Sequence, residues 1–269
     1  MKLNLKTLAA AAGLASTLIL TGCGQEEANT NLIKVGVMAG AEAQVAEVAA
    51  KVAKEQYGLD VELVTFTDYV TPNAALDDGS IDLNAFQHKP YLDQQVADRG
   101  YKIEVAGNSF VYPIAGYSKQ VTSVDQIEDG ARIAVPNDPT NLGRSLLLLQ
   151  EQGLITLRDG SGLAATVRDI TANPKNITIV ELDAAQLPRS LDDVALSVIN
   201  TTYASSLNLT PEKDGIFVED KESPYVNLIV GRTDNVNTDN VKTFVKAYQS
   251  DEVYQAALKT FKGGVVKGW

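Results

Sequence analysis

Reactive side chains are scarce in this sequence. Its 269 residues include one cysteine, one histidine, one tryptophan and two methionines. A single cysteine excludes an internal disulfide framework and a cysteine-rich zinc site. A single histidine excludes His-cluster metal centres and His-pair acid–base chemistry. Basic residues are also short, with 23 Lys+Arg against 34 Asp+Glu and a formal net charge of −11. Nucleic acid is therefore not an expected partner, because phosphate contacts need a basic face. Catalytic signatures are missing too: there is no G-x-S-x-G elbow, no G-x-x-x-x-G-K-S/T phosphate loop, no H-E-x-x-H and no acidic calcium loop. No enzyme activity, cofactor or metal is expected. With 45% hydrophobic and 21% charged residues, the chain can bury one large core or two smaller ones.

The first residues read as an address. Lys2 and Lys6 precede an uncharged, mostly apolar run from Leu8 to Leu20, too short to span a bilayer but suited to a signal-peptide core. The run ends at Leu20-Thr21-Gly22-Cys23, where the sole cysteine follows two small residues. This resembles the lipobox of bacterial lipoproteins, which implies a signal peptide over 1–22, cleavage before Cys23 and lipidation of its sulfur. The alternative is a buried structural cysteine. Cleavage shortens the chain by 22 residues to 247 and removes two lysines and no acids, moving the charge from −11 to −13. Several acyl chains anchor stably where one is marginal. Residues 23–31 then form the lipidated cysteine and a polar tether, holding an acidic body off the membrane on its periplasmic side.

Beyond the tether, strand-like and helix-like segments alternate. Ile33–Met38, Val61–Phe66 and Ile81–Phe86 read as strands. Between and after them lie a helix ending at Gly58, a short helix over Pro72–Leu76 and a helix over Gln87–Ala97 with Pro90 in its first turn. Such a βαβαβ series implies a parallel sheet covered by helices. Ile103–Ser118 breaks the alternation as one extended stretch. The pattern then restarts with strands at Arg132–Val135, Ile177–Leu182 and Val194–Ile199, and a helix over Asn141–Gln150. Tyr225–Val230 is a further strand, and two amphipathic helices close the chain. The fold class is α/β with two units.

Three places suggest binding. Phe86, His88 and Tyr91, with Tyr69 upstream, fall at the carboxyl end of a predicted strand, where open α/β sheets bind ligands. These rings are either ordinary core or one wall of a cleft, and aromatic faces suit an apolar or thioether tail. The loop Pro136–Asn141 leads into a helix predicted to begin near Arg144. Free N–H groups at a helix start attract carboxylate, and an arginine in its first turn adds a bidentate fork. Equally, Arg144 could pair with a surface acid. Asn200 and Asn227 interrupt apolar strands, so each is satisfied by local backbone or by a ligand. One cation, amide groups and an aromatic slot match the zwitterion and tail of an α-amino acid.

The stretches FQHKPYLDQQ, FVYPIAGYSK, VPNDPTNLGRSLLLLQ, LPRSLDD, VINTTYA, DGIFVEDKESPYVNLIV and the terminal KGW make the sequence similar to the NlpA family of methionine-binding lipoproteins that serve ABC importers. The resemblance implies a type II periplasmic-binding-protein fold, with two α/β lobes joined by two crossing segments: 32–116 plus 229–269, and 117–228. It implies an aromatic slot of Tyr69, Phe86, His88 and Tyr91, a carboxylate partner in Arg144 and polar anchors in Asn200 and Asn227. The implied partners are methionine, a membrane permease and its ATPase. Many relatives carry Gly-Asn after the first asparagine, where this chain has Thr201-Thr202.

Overall fold

The computed structural model describes residues 31–220 and 224–269. The expected signal peptide and the expected lipidation position, Cys23, lie outside the described residues.

The chain begins with β1 (Leu32–Met38), α1 (Ala41–Tyr57), β2 (Asp60–Phe66), α2 (Thr71–Asp77), β3 (Leu83–His88), α3 (Lys89–Arg99) and β4 (Ile103–Val111). It continues through β5 (Ala115–Tyr117), β6 (Arg132–Pro136), α4 (Pro139–Glu151), β7 (Thr156–Leu157), β8 (Ile170–Ala172), β9 (Thr178–Leu182), α5 (Leu187–Ser190), β10 (Leu196–Ile199) and α6 (Thr201–Ala204). It closes with α7 (Pro211–Asp214), β11 (Phe217–Val218), β12 (Val226–Arg232), α8 (Asp239–Tyr248), α9 (Asp251–Thr260) and β13 (Val266–Lys267).

Two main sheets result. The first runs β13-β4-β12-β3-β1-β2 and the second β11-β5-β10-β6-β9. The predicted βαβαβ series forms a parallel core, with β1 between β2 and β3; β12 then adds antiparallel to β3. Apolar side chains of β1 pack against α1, α8 and α9 on one face, through Val35, Val37, Ala49, Phe244 and Val253. The other face takes α2 and α3 through Leu76, Leu92 and Leu228. In the second sheet, α4 covers one face through Leu142, Leu146 and Leu149; α5 and α6 cover the other around Leu187, Ile199 and Ala204. The closing helices thus return to the first sheet.

The extended stretch after α3 is two strands broken at Tyr112-Pro113-Ile114, and there the chain passes from the first sheet to the second. It is back in the first sheet at β12, which begins at Val226. The boundaries expected at 116/117 and 228/229 therefore fall inside β5 and β12.

The helix with Arg144 begins earlier than predicted. Asp138 caps α4 by accepting from the Asn141 N–H at 2.9 Å, and Pro139 occupies its first position. Arg144 consequently lies in the second turn, not the first. Gly143 lets α4 approach a neighbouring turn: a Cβ there would stand 2.2 Å from the Leu163 carbonyl oxygen.

Candidate functional site

The carboxyl ends of β3 and β10, the start of β12 and the first turns of α4 converge on one cavity with about 350 Å³ of empty space. All seven residues singled out from the sequence line it: Tyr69, Phe86, His88, Tyr91, Arg144, Asn200 and Asn227. Gln87, Tyr112, Asn141, Thr201 and Thr202 complete the wall.

The rings are both core and wall. Tyr69 lies 5.9 Å from Phe86, 6.3 Å from Tyr91 and 5.0 Å from Tyr203, centroid to centroid. The Tyr91 hydroxyl donates to the Tyr69 carbonyl at 2.7 Å, which fixes the loop between β2 and α2 against α3. Below them, three buried side-chain amides satisfy one another. Gln87 Nε2 donates to Asn73 Oδ1 at 2.6 Å, Asn73 Nδ2 donates back to Gln87 Oε1 at 2.8 Å, and Asn84 Nδ2 donates to Asn73 Oδ1 at 2.9 Å. The cluster explains how β3 can be wholly buried and still carry polar residues.

His88 caps α3, accepting the Tyr91 N–H at its Nδ1 over 3.2 Å. Its Nε2 stands 3.3 Å from Asn141 Oδ1. Asn141 Nδ2 donates to both Asp138 oxygens at 3.1 and 3.0 Å, so the amide oxygen faces the ring and the imidazole proton sits on Nε2. Burial and the nearby Arg144 charge push the His88 pKa down to about 3, keeping the ring neutral. The same Asn141 oxygen accepts Asn200 Nδ2 at 2.9 Å. Asn200 Oδ1 is buried with no protein partner. Asn227 Nδ2 donates to the Phe86 carbonyl at 2.9 Å, the backbone alternative for this residue.

Arg144 is 4% exposed. Its Nε donates to Glu219 Oε1 at 2.7 Å, and its Nη2 donates to Glu219 Oε2 and to the Tyr112 carbonyl. The guanidinium also lies 4.2 Å over the Tyr225 ring. Nη1 takes no protein acceptor among the described residues. One edge of the fork pairs with an acid, buried rather than on the surface, and the second Nη2 proton goes to the Tyr112 carbonyl, which leaves Nη1. The first-turn N–H that was expected to attract a carboxylate is spent on Asp138.

Two further contacts join the walls. The Thr202 hydroxyl donates to Glu42 Oε1, and the Tyr203 hydroxyl donates to the Thr67 carbonyl at 3.3 Å. Glu42 is 2% exposed, and burial raises its pKa to about 8 against the lowering effect of the Thr202 bond. Glu219 and Glu42 carry no sequence signal, since their partners lie 75 and 160 residues away. Asn141 did carry one: Asp138-Pro139 is a cap followed by proline, which puts Asn141 in the first turn.

The NlpA lipoprotein family matches residues 33–269. The chain belongs to that family. Among NlpA lipoproteins it is 75% identical, over the full length of both chains, to the probable D-methionine-binding lipoprotein MetQ of Vibrio cholerae serotype O1. The crystal structure of the methionine-binding protein MetQ matches with a TM-score of 0.88 at 72% identity, covering 89% of this chain and 98% of that one. A nutrient-binding protein from Burkholderia cenocepacia, solved bound to methionine, matches with a TM-score of 0.87 at 53% identity, covering 88% and 100%. The NlpA lipoprotein described here thus has the two-sheet α/β fold of periplasmic substrate-binding proteins.

Proposed function

We propose that this NlpA lipoprotein captures methionine, as the L or D isomer, between two lobes and delivers it to the permease and ATPase of an ABC importer. The observation that carries the reading is the pairing, in one cavity, of a guanidinium whose Nη1 has no protein acceptor among the described residues and a buried amide oxygen, Asn200 Oδ1, without a partner. Nη1 of Arg144 suits the ligand carboxylate, and Asn200 Oδ1 suits an ammonium proton. The rings of Tyr69, Phe86, His88 and Tyr91 suit a thioether tail, since sulfur–aromatic contacts are favourable. Asn227, on the same wall, serves as a further polar anchor. Micromolar capture requires only about −8 kcal/mol, which one charge-assisted pair and a buried tail can supply.

The lobes on this reading are 32–116 plus 229–269, and 117–228. Ligand bridges them, and the closed form docks on the transporter. Cys23 carries the lipid that keeps the protein at the membrane, facing the periplasm. On this reading the chain is a binder, as are the methionine-binding proteins to which it is similar.

Mass spectrometry of small molecules released from the purified, denatured protein tests the proposal. Methionine is expected. Another amino acid or a methionine-containing peptide would keep the fold reading and replace the cargo, and turnover of any bound compound would favour a hydrolase. Absence of any small molecule would favour a structural or adhesive lipoprotein.

A further inference from the structure

Glu219 sits directly behind the cavity wall, at the start of the passage back to the first sheet. Its carboxylate takes one edge of Arg144, with Nε at 2.7 Å, and the two side chains are 3% and 12% exposed. The Glu219 N–H donates to the Ile114 carbonyl at 2.9 Å, and the Ile114 N–H donates to Glu219 Oε2 at 3.4 Å. The carboxylate is therefore held by both passages between the sheets. It has one way to meet Arg144, and Nη1 remains on the side left over.

The pairing also sets the charge that a ligand meets. Arg144 is the one formally charged side chain in the cavity wall, because His88 is neutral. Asp138, the nearest acid along α4, is engaged by the Asn141 and Thr140 side chains and the Asn141 N–H. A guanidinium joined to a buried carboxylate sums to zero. A ligand bearing only a carboxylate would bring that sum to −1 where water is nearly excluded, whereas a zwitterion brings its own ammonium.

We propose that Glu219 is a positioning and specificity-determining residue, which leaves Nη1 of Arg144 for the ligand and makes the cavity favour zwitterions over simple carboxylates. The proposal rests on the reading that the cavity takes an α-amino acid.

The test is calorimetric titration of the full chain, stripped of bound ligand, with methionine and with 4-(methylthio)butanoate, its analogue lacking the amino group. Wild type should prefer methionine by roughly 100-fold or more, as expected when a charged group must find a partner. Glu219→Gln keeps the shape and removes the charge. It should weaken methionine binding by roughly tenfold and narrow the preference by at least as much. Glu219→Asp keeps the charge but shortens the reach, so it should weaken methionine by roughly tenfold with the preference retained.

Equal weakening of both ligands by Glu219→Gln would overturn the proposal, as would wild-type methionine affinity in Glu219→Asp. The second variant decides the positioning role if the first fails to melt cooperatively. A wild type that binds both ligands alike would overturn the role of Glu219 while leaving methionine capture intact. A wild type that binds neither would remove the amino-acid reading, and the proposal with it.

Discussion

The two walls of the cavity are built on opposite principles. The wall from the first sheet is mainly rings, which present area without direction and touch one another at centroid separations of about 6 Å. The wall from the second sheet is Asn141, Arg144, Asn200 and two threonines, and its polar atoms are aimed by other polar atoms. Asp138 orients Asn141, Asn141 orients Asn200, and Glu219 orients Arg144. An aromatic surface tolerates changes in what lies on it, because dispersion and apolar burial are non-directional. A directed donor set does not, because an unmet buried polar group costs more than a met one contributes. Selection for a head group should therefore be strict and selection for a tail graded.

The largest break comes from the directed wall. Arg144→Ala removes the one formally charged side chain of the cavity wall and should weaken methionine binding by at least roughly 100-fold in calorimetry. It also strands Glu219, so the melting transition should fall by an amount corresponding to about 3–5 kcal/mol. Near-wild-type affinity in this variant would sink the assignment of the head-group site.

An intermediate effect lies where the walls meet, at one buried base and one buried acid. The folded pKa of His88 is depressed to about 3 from the ordinary 6.5 of an exposed imidazole. Its penalty is absent above 6.5 and grows as pH falls, because the unfolded chain takes a proton that the fold refuses. Glu42 has the opposite sign, with a folded pKa of about 8 against an ordinary carboxyl value of 4.5. Its protonated form is retained in the fold, so stability is full below 4.5 and is lost as pH rises toward 8. Denaturant melts should peak between the two ordinary values, with limbs on the order of a few kcal/mol. Glu42→Gln should flatten the alkaline limb alone. An unchanged alkaline limb would mean that Glu42 ionises freely.

The smallest effect belongs to the rings. Phe86→Leu should cost about 1 kcal/mol of methionine affinity, the scale of one sulfur–aromatic contact, and much less for alanine. Equal losses for both amino acids would show that the ring does not face the tail.

Sequence alone reveals these walls unequally. The parallel core of the first sheet is readable because β1 and β3 are apolar runs flanking a helix of 3.6-residue period that stops at Gly58. Residues at strand ends, such as Phe86, His88 and Asn200, are readable because ligand sites of open sheets gather there. What escapes is pairing over distance. Nothing in the run that contains Glu219 indicates Arg144, and nothing near Glu42 indicates Thr202. The two-residue strands β11 and β13 escape because so short a segment has no period. The turn that holds Arg144 escapes too, because the apolar periodicity points to a later helix start than the Asp138-Pro139 cap sets.

The place of β1 in the first sheet has a mechanical consequence. Residues ahead of Leu32 enter the body through a strand paired along its length with β2 and also with β3. Tension along that strand loads both ladders in shear, so many hydrogen bonds must yield together. At the other end, β13 pairs with β4 through only two residues at the edge of the sheet and can peel bond by bond. The end from which a tethered molecule would be pulled is the end that resists pulling.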